Sequence, residues 1–288
     1  MFNGAFSAMV TPFRGGKVDE ESLRGLTEFL IQQGIDGLIP CGTTGESATL
    51  SHEEHKRVIA RVIEQANQRT LVIAGTGSNS TEEAIELTEY AQKAGADGAL
   101  LVAPYYNKPT PEGQYLHFEK VAKSVQIPII LYNIPGRTGM NMSPSTIARL
   151  SKIPNIVAIK ESSGSMDQVS QIRQLCGITL LSGDDSLTLP MLSLGAMGVI
   201  SVVANVMPKE MVKMVKAFLE GDIQQAQKLH YQLLALAQVL FLETNPIPVK
   251  TALALMGKIQ LEFRLPLCPM QAENEVKLKK VLKEYKLI

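Results

Sequence analysis

Residues 80–103 read STEEAIELTEYAQKAGADGALLVA and contain one full repeat of the pattern that organises this chain. Ser80-Thr81-Glu82-Glu83 matches a capping box, in which a serine and the residue three later satisfy each other's free backbone N–H groups. Gly95-Ala96-Asp97-Gly98 follows. The first glycine stops the helix and the second opens a strand. Residues 99–103 are then a short apolar run of buried-strand length. The same joint recurs at Gly34-Ile35-Asp36-Gly37 and at Gly195-Ala196-Met197-Gly198. Ser51-His52-Glu53-Glu54 matches a second capping box, and Ser143-Pro144 is an N-cap with proline at the first helical position.

Working outward, further strands are expected at 5–10, 37–40, 71–75, 129–133, 156–160, 179–182 and 199–202. With 99–103 they make eight, separated by amphipathic helical segments, which suits βα units and a parallel sheet. The eighth unit ends near Gly221. An α/β fold of (β/α)8 TIM-barrel type is therefore expected over residues 1–221. A doubly wound open sheet is disfavoured, because no strand runs into G-x-G-x-x-G. Beyond it, Ala226, Leu229, Leu233, Leu236 and Leu240 fall on one helical face, so 222–242 is expected to be a helix. Pro246 and Pro248 break the chain, and two helices follow near 249–256 and 274–285. Residues 222–288 thus form a C-terminal helical appendage.

Composition narrows the function. Apolar residues make up 45% of the 288 and charged residues 19%, enough for a large core. The 28 basic and 28 acidic residues cancel, leaving no basic excess for nucleic acid. Cys41, Cys176 and Cys268 are odd in number and widely spaced, which suits reduced thiols in a cytoplasmic protein and no thiolate metal site. Residues 1–10 lack the basic and apolar regions of a signal peptide. Residues 186–208 carry no charge, yet Pro190, Gly195, Gly198 and Asn205 make them a buried helix and strand, not a membrane span.

In barrels the chemistry sits at the C-terminal strand ends. Lys160 follows the buried-type run Ile156-Val157-Ala158-Ile159. Removal from water favours the neutral amine, which can attack a ketone to form a Schiff base. Pairing with a carboxylate such as Glu161 explains the same lysine without catalysis. Tyr132 ends the neighbouring strand, where it is placed to carry protons or simply to fill the core with a wet hydroxyl. Thr43 and Thr44 lie between glycines, where successive N–H groups can converge on a carboxylate. Arg137 suits bidentate carboxylate binding, or is a solvated arginine. The loops after strands seven and eight lack a phosphate cradle. His52, His55, His117 and His230 form no H-E-x-x-H, so no metal and no other cofactor is expected.

Taken together, the chain resembles the dihydrodipicolinate synthase family of pyruvate-dependent Schiff-base aldolases. The resemblance covers essentially the whole chain. It rests on Val10-Thr11-Pro12, Gly42-Thr43-Thr44-Gly45-Glu46-Ser47-Ala48-Thr49-Leu50, Gly75-Thr76-Gly77 and Pro104-Tyr105-Tyr106-Asn107. It continues in Tyr132-Asn133-Ile134-Pro135-Gly136-Arg137-Thr138-Gly139, Ile159-Lys160-Glu161, Leu181-Ser182-Gly183-Asp184-Asp185, Gly198-Val199-Ile200-Ser201 and Asn245-Pro246-Ile247-Pro248-Val249-Lys250.

The resemblance implies an imine between Lys160 and pyruvate. It implies a proton relay of Tyr132, Thr43 and Tyr106, the last reaching into a neighbouring subunit. Thr44, Gly183 and the Ile200 backbone would bind pyruvate, and Arg137 would bind the carboxylate of L-aspartate 4-semialdehyde. The product feeds the diaminopimelate route to lysine. The resemblance also implies a homotetramer built as a dimer of dimers. Feedback inhibition by L-lysine is implied at Ser47, Ala48, Leu50, His52, His55, Asn79, Glu83 and Tyr105. The N-acetylneuraminate lyases share the lysine, but Gly136-Arg137-Thr138 and Gly42-Thr43-Thr44 resemble the synthases. A catalytically dead barrel used for binding would need a broken relay, and Lys160 and all three relay residues are present.

Overall fold

The computed structural model describes residues 2–288. Eight parallel strands close into a barrel: β1 Gly4–Ala8, β2 Gly37–Ile39, β3 Leu71–Gly75, β4 Gly98–Val102, β5 Ile129–Asn133, β6 Ile156–Glu161, β7 Thr179–Ser182 and β8 Gly198–Ser201. Each strand hydrogen-bonds to the next, and β1 closes the ring between β2 and β8. All eight strands expected from the apolar runs are present, three with the expected bounds and the others with ends shifted by at most two residues. The connecting helices are α1 Glu20–Gln32, α2 His52–Ala66, α3 Thr81–Ala94, α4 Pro111–Ser124, α5 Pro144–Leu150, α6 Met166–Leu175, α7 Thr188–Ser193 and α8 Pro208–Leu219.

The repeated glycine joint has two physical jobs. Gly34, Gly95 and Gly195 take φ of 80°, 94° and 91°, the left-handed turn that ends a helix. The second glycine serves close packing. A Cβ on Gly198 would lie 2.0 Å from the Gly4 carbonyl oxygen, and one on Gly37 would lie 2.4 Å from the Phe6 ring. Strand starts at the barrel floor approach too closely there for any side chain.

Two apolar layers result. Phe2, Phe6, Ile39, Ile73, Leu100, Ile130, Ala158, Leu181 and Ile200 fill the barrel interior. A larger layer packs the outward faces of the strands against the helices. Tyr132 belongs to the inner layer.

Local signals are realised unevenly. Ser51 and Glu54 form the complete reciprocal capping box of α2. The Ser80 box is only half made: Ser80 Oγ accepts from the Glu83 N–H, but the Glu83 carboxylate turns to His52 and Ser78 instead. Ser143 caps α5 as expected. A small hairpin, Phe13–Arg14 with Lys17–Val18, was not anticipated. After α8 the chain adds α9 Ile223–Val239, α10 Ile247–Leu255 and α11 Ala272–Glu284. Helix α9 packs on α8, and α11 bridges α9 and α10. No helix among the described residues is long and apolar enough to cross a membrane.

Candidate active site

Strands β5 and β6 run side by side, with Tyr132 directly opposite Lys160. Successive side chains of a strand point to opposite faces, so both project into the barrel mouth. Lys160 is 6% exposed, and its Nζ lies 4.1 Å from the centre of the Tyr132 ring. Glu161 is not its partner. The Glu161 carboxylate turns outward and accepts from Asn133 Nδ2, Gln168 Nε2 and the Ser163 N–H. Pairing of Lys160 with Glu161 is therefore not realised, because adjacent strand residues cannot share a face.

A small cavity at the strand ends is lined by Thr43, Thr44, Tyr132, Arg137, Lys160 and Gly183, together with Asp184 and Asn245. Six of the residues singled out from sequence thus meet in one place. The loop after β2 is wound by hydrogen bonds from the Gly45 and Ser47 N–H groups to the Gly42 carbonyl, and from the Glu46 N–H to that of Thr43. The N–H groups of Thr43 and Thr44 are not spent in this turn, so they remain as donors for an anion. Gly183 makes room. A Cβ there would fall 1.8 Å from Ser162 Oγ and 2.9 Å from Lys160 Cε. Burial raises the Asp184 carboxyl above its ordinary value, and the nearby Lys160 charge opposes this.

Two candidates lie elsewhere. Ile200 is buried in the barrel interior, and it is Val202 that reaches the cavity wall. Tyr106 is 89% exposed and outside the cavity of its own chain. Its φ of 69° is a left-handed conformation that few bulky residues adopt.

Asn245 carries part of the resemblance, but sequence reading gave it no role in the site. Its Nδ2 donates to Thr44 Oγ1 at 2.9 Å, and its carbonyl accepts from Arg137 Nη2 at 2.9 Å. Five residues on, Lys250 pairs with Glu46 at 2.5 Å in complete burial. The appendage therefore braces the loop carrying Thr43 and Thr44.

The residues tied by resemblance to lysine inhibition form a neighbouring but looser group. His52 Nε2 lies 2.5 Å from Glu83 Oε1, and Ser78 Oγ donates to the same carboxylate. These bonds, Ser78 first, hold Glu83 below the ordinary carboxylate range against some burial. Tyr105, with its phenol raised by burial and by Glu83, lines a cleft of about 300 Å³ with Ser47, Ala48, Thr43 and Arg137. His55 is buried, with Nε2 2.7 Å from the Gly75 carbonyl, and burial lowers its imidazole. Leu50 is buried in the core, and the Asn79 carbonyl accepts from Asn107 Nδ2 at 2.9 Å.

A wider groove lies at the opposite end of the barrel, around Asp36, Arg69 and Asp97, and it holds none of these residues. Position at the strand ends locates chemistry in this fold better than cavity size does. No group of three or more His, Cys, Asp or Glu among the described residues is disposed to hold a metal ion.

Comparison with known proteins agrees with this geometry. The model of the dihydrodipicolinate synthetase family matches residues 1–285. A 4-hydroxy-tetrahydrodipicolinate synthase of Geotalea uraniireducens is 58% identical over 290 residues, covering 100% of both chains. The chloride-inhibited dihydrodipicolinate synthase of Acinetobacter baumannii, solved in complex with pyruvate, superposes with a TM-score of 0.98 at 47% identity, covering 100% of both chains. The enzyme of Cyanidioschyzon merolae, solved with lysine bound, gives 0.97 at 43% identity and covers 100% of this chain and 99% of its own.

Proposed function

The chain belongs to the dihydrodipicolinate synthetase family, lyase-type pyruvate-dependent aldolases, and on that premise we propose that it condenses pyruvate with L-aspartate 4-semialdehyde to 4-hydroxy-tetrahydrodipicolinate. The observation that carries this reading is Lys160, buried opposite Tyr132 on the wall of a cavity shared with Thr43, Thr44 and Arg137.

The Lys160 amine attacks the pyruvate ketone, and loss of water gives the imine. The imine draws electrons from the methyl carbon, so a proton leaves and an enamine forms without any added cofactor. That carbon attacks the aldehyde. The substrate amino group then attacks the imine carbon, closes the ring and releases Lys160. Tyr132 and Thr43 pass the protons. The Thr44 hydroxyl and the free N–H groups of its loop hold the pyruvate carboxylate, and Gly183 leaves the space the imine needs. Arg137 receives the semialdehyde carboxylate in a charge-assisted fork.

Tyr106, held away from its own cavity, completes the relay in an adjacent subunit of a homotetramer, a dimer of dimers. L-lysine acts as inhibitor through the group around His52, Glu83 and Tyr105, a reading supported by the lysine-bound relative. Asn79 holds its carboxylate, while Ser47, Ala48, Leu50 and His55 wall the site. In this reading residues 1–221 are the catalytic barrel, residues 222–288 are the brace, and the setting is the cytoplasm.

Borohydride added with pyruvate should place one reduced pyruvate-derived group on Lys160. Purified protein should then turn over aspartate semialdehyde and slow when lysine is added. A label on another lysine, or none, rejects the imine. Labelling without semialdehyde turnover rejects the second substrate.

A further inference from the structure

Beneath the catalytic pair lies a second, buried pair on the same two strands. Asn133 follows Tyr132 and Glu161 follows Lys160, and they too are direct partners in the ladder. Their side chains point outward, between the barrel and its helices. Asn133 is fully buried and Glu161 is 1% exposed. Asn133 Nδ2 donates to both carboxylate oxygens, at 3.2 and 3.1 Å. The Ser163 N–H donates to the same carboxylate at 2.7 Å, and Gln168 Nε2 of α6 at 3.1 Å. Asn141 completes the cluster. Its Oδ1 accepts from Asn133 Nδ2 at 2.7 Å, and its Nδ2 donates to Gln168 Oε1 at 2.6 Å.

An anion buried without a cation is costly, and an apolar pair of similar shape would pack as well or better. Stability alone gives no reason for it. Position does. The carboxylate binds the two strand ends to each other one residue past Tyr132 and Lys160. Asn133 Oδ1 also accepts from the Met142 N–H at 2.9 Å, which closes the loop bearing Arg137. One cluster therefore fixes the backbone under three residues of the site.

We propose that Glu161 and Asn133 are positioning residues for the reaction: their outward hydrogen-bonded pair sets the spacing and direction of Lys160 and Tyr132 on the inner face. This rests on the assignment of Lys160 as the imine-forming residue.

The test uses Glu161→Gln, Asn133→Asp and the double variant. Each single change mismatches donors and acceptors. The double change restores the match between positions 133 and 161, with the charge moved to the neighbouring strand and the Asn141 amide turned to donate to it. Sites are counted by borohydride labelling with pyruvate, and turnover is expressed per labelled site, so that loss of folded protein does not count as loss of rate. Each single variant should lower kcat per site about ten- to hundredfold, the scale of an ångström-level misplacement. The double variant should recover most of it. Gln168→Met, which removes one donor from α6 and leaves both strands untouched, should give a smaller fall in kcat per site. This keeps the test open if the strand variants fail to fold.

Singles or Gln168→Met within twofold of the parent would overturn the proposal. So would a folded double variant with no recovery. Absence of labelling at Lys160 in the parent protein would instead reject the imine assignment itself, and is read before the variants.

Discussion

Lys250 Nζ sits 2.5 Å from Glu46 Oε1 with both side chains sealed from water, joining α10 to the loop that carries Thr43 and Thr44. The rings of Phe13 and Phe263 flank the ammonium at 4.3 and 5.1 Å. Burial pushes the Lys250 ammonium down and Glu46 pulls it back. Glu46 itself takes a left-handed φ of 53°, which the ion pair helps to hold.

Removing one partner leaves a buried charge alone. Lys250→Met should therefore destabilise the fold by about 3–5 kcal/mol. Lys250→Met with Glu46→Gln should recover part of that loss. Urea unfolding of the parent and the two variants decides it. A single variant within about 1 kcal/mol of the parent would mean that water reaches the pair.

Gly183→Ala tests whether this glycine serves by its lack of a side chain. The added methyl would collide with Ser162 Oγ and press on Lys160 Cε. Imine labelling should slow at least about tenfold, while stability falls by only about 1–3 kcal/mol. Adding Ser162→Gly should restore part of the stability and little of the rate, since the contact with Lys160 remains. Unchanged labelling in Gly183→Ala would show that Lys160 has another path to the substrate.

Glu83→Ala probes the proposed response to lysine. Turnover without lysine should stay within about twofold of the parent, whereas inhibition weakens by a coupling of about 1–3 kcal/mol. The measurement is activity against added L-lysine for both proteins. Identical curves would separate Glu83 from any effector site.

His117 gives a pH dependence of stability. Burial pulls its imidazole down to about 4 from 6.5. Nδ1 meets Thr81 Oγ1 at 2.9 Å, and Nε2 is buried without a partner. Between these values the unfolded chain binds a proton that the folded chain excludes. Stability is thus full above pH 6.5 and falls as pH drops toward 4, by roughly 3 kcal/mol at most. Urea midpoints from pH 7 to 4.5 should show this slope, and His117→Asn should flatten it. A variant as acid-sensitive as the parent assigns the slope to other groups.

Much of the barrel was legible because buried parallel strands are continuous apolar runs and their helices begin at Ser caps and stop at Gly34, Gly95 and Gly195. The hairpin at Phe13–Val18 was too short for any periodicity. Its signal was Arg14-Gly15-Gly16-Lys17, with both glycines at positive φ, as a tight hairpin turn requires. The strand-end rule picked out Thr43, Thr44, Tyr132, Arg137, Lys160 and Gly183, which line one cavity. Pairing Glu161 with Lys160 ignored the alternation of side chains along a strand. The roles of Asn245 and Lys250 were out of reach for a different reason. Their partners, Thr44 and Glu46, lie about 200 residues earlier, and no local pattern encodes such a contact.

The ring closure of the barrel sets a timetable for synthesis. Phe6 of β1 pairs with Gly37 of β2 early, but its other neighbour, Ile200 of β8, is among the last strand residues made. At about 5–20 residues per second, the N-terminal strand keeps one bare edge for roughly ten to forty seconds on the ribosome. Such an edge is a template for pairing with other chains. Asn245 and Lys250 are made later still, after every strand. The nascent chain makes its strands first and the struts of its pocket last, so a chain ended past residue 201 but short of 245 would contain every strand of the barrel and neither residue that braces its substrate loop.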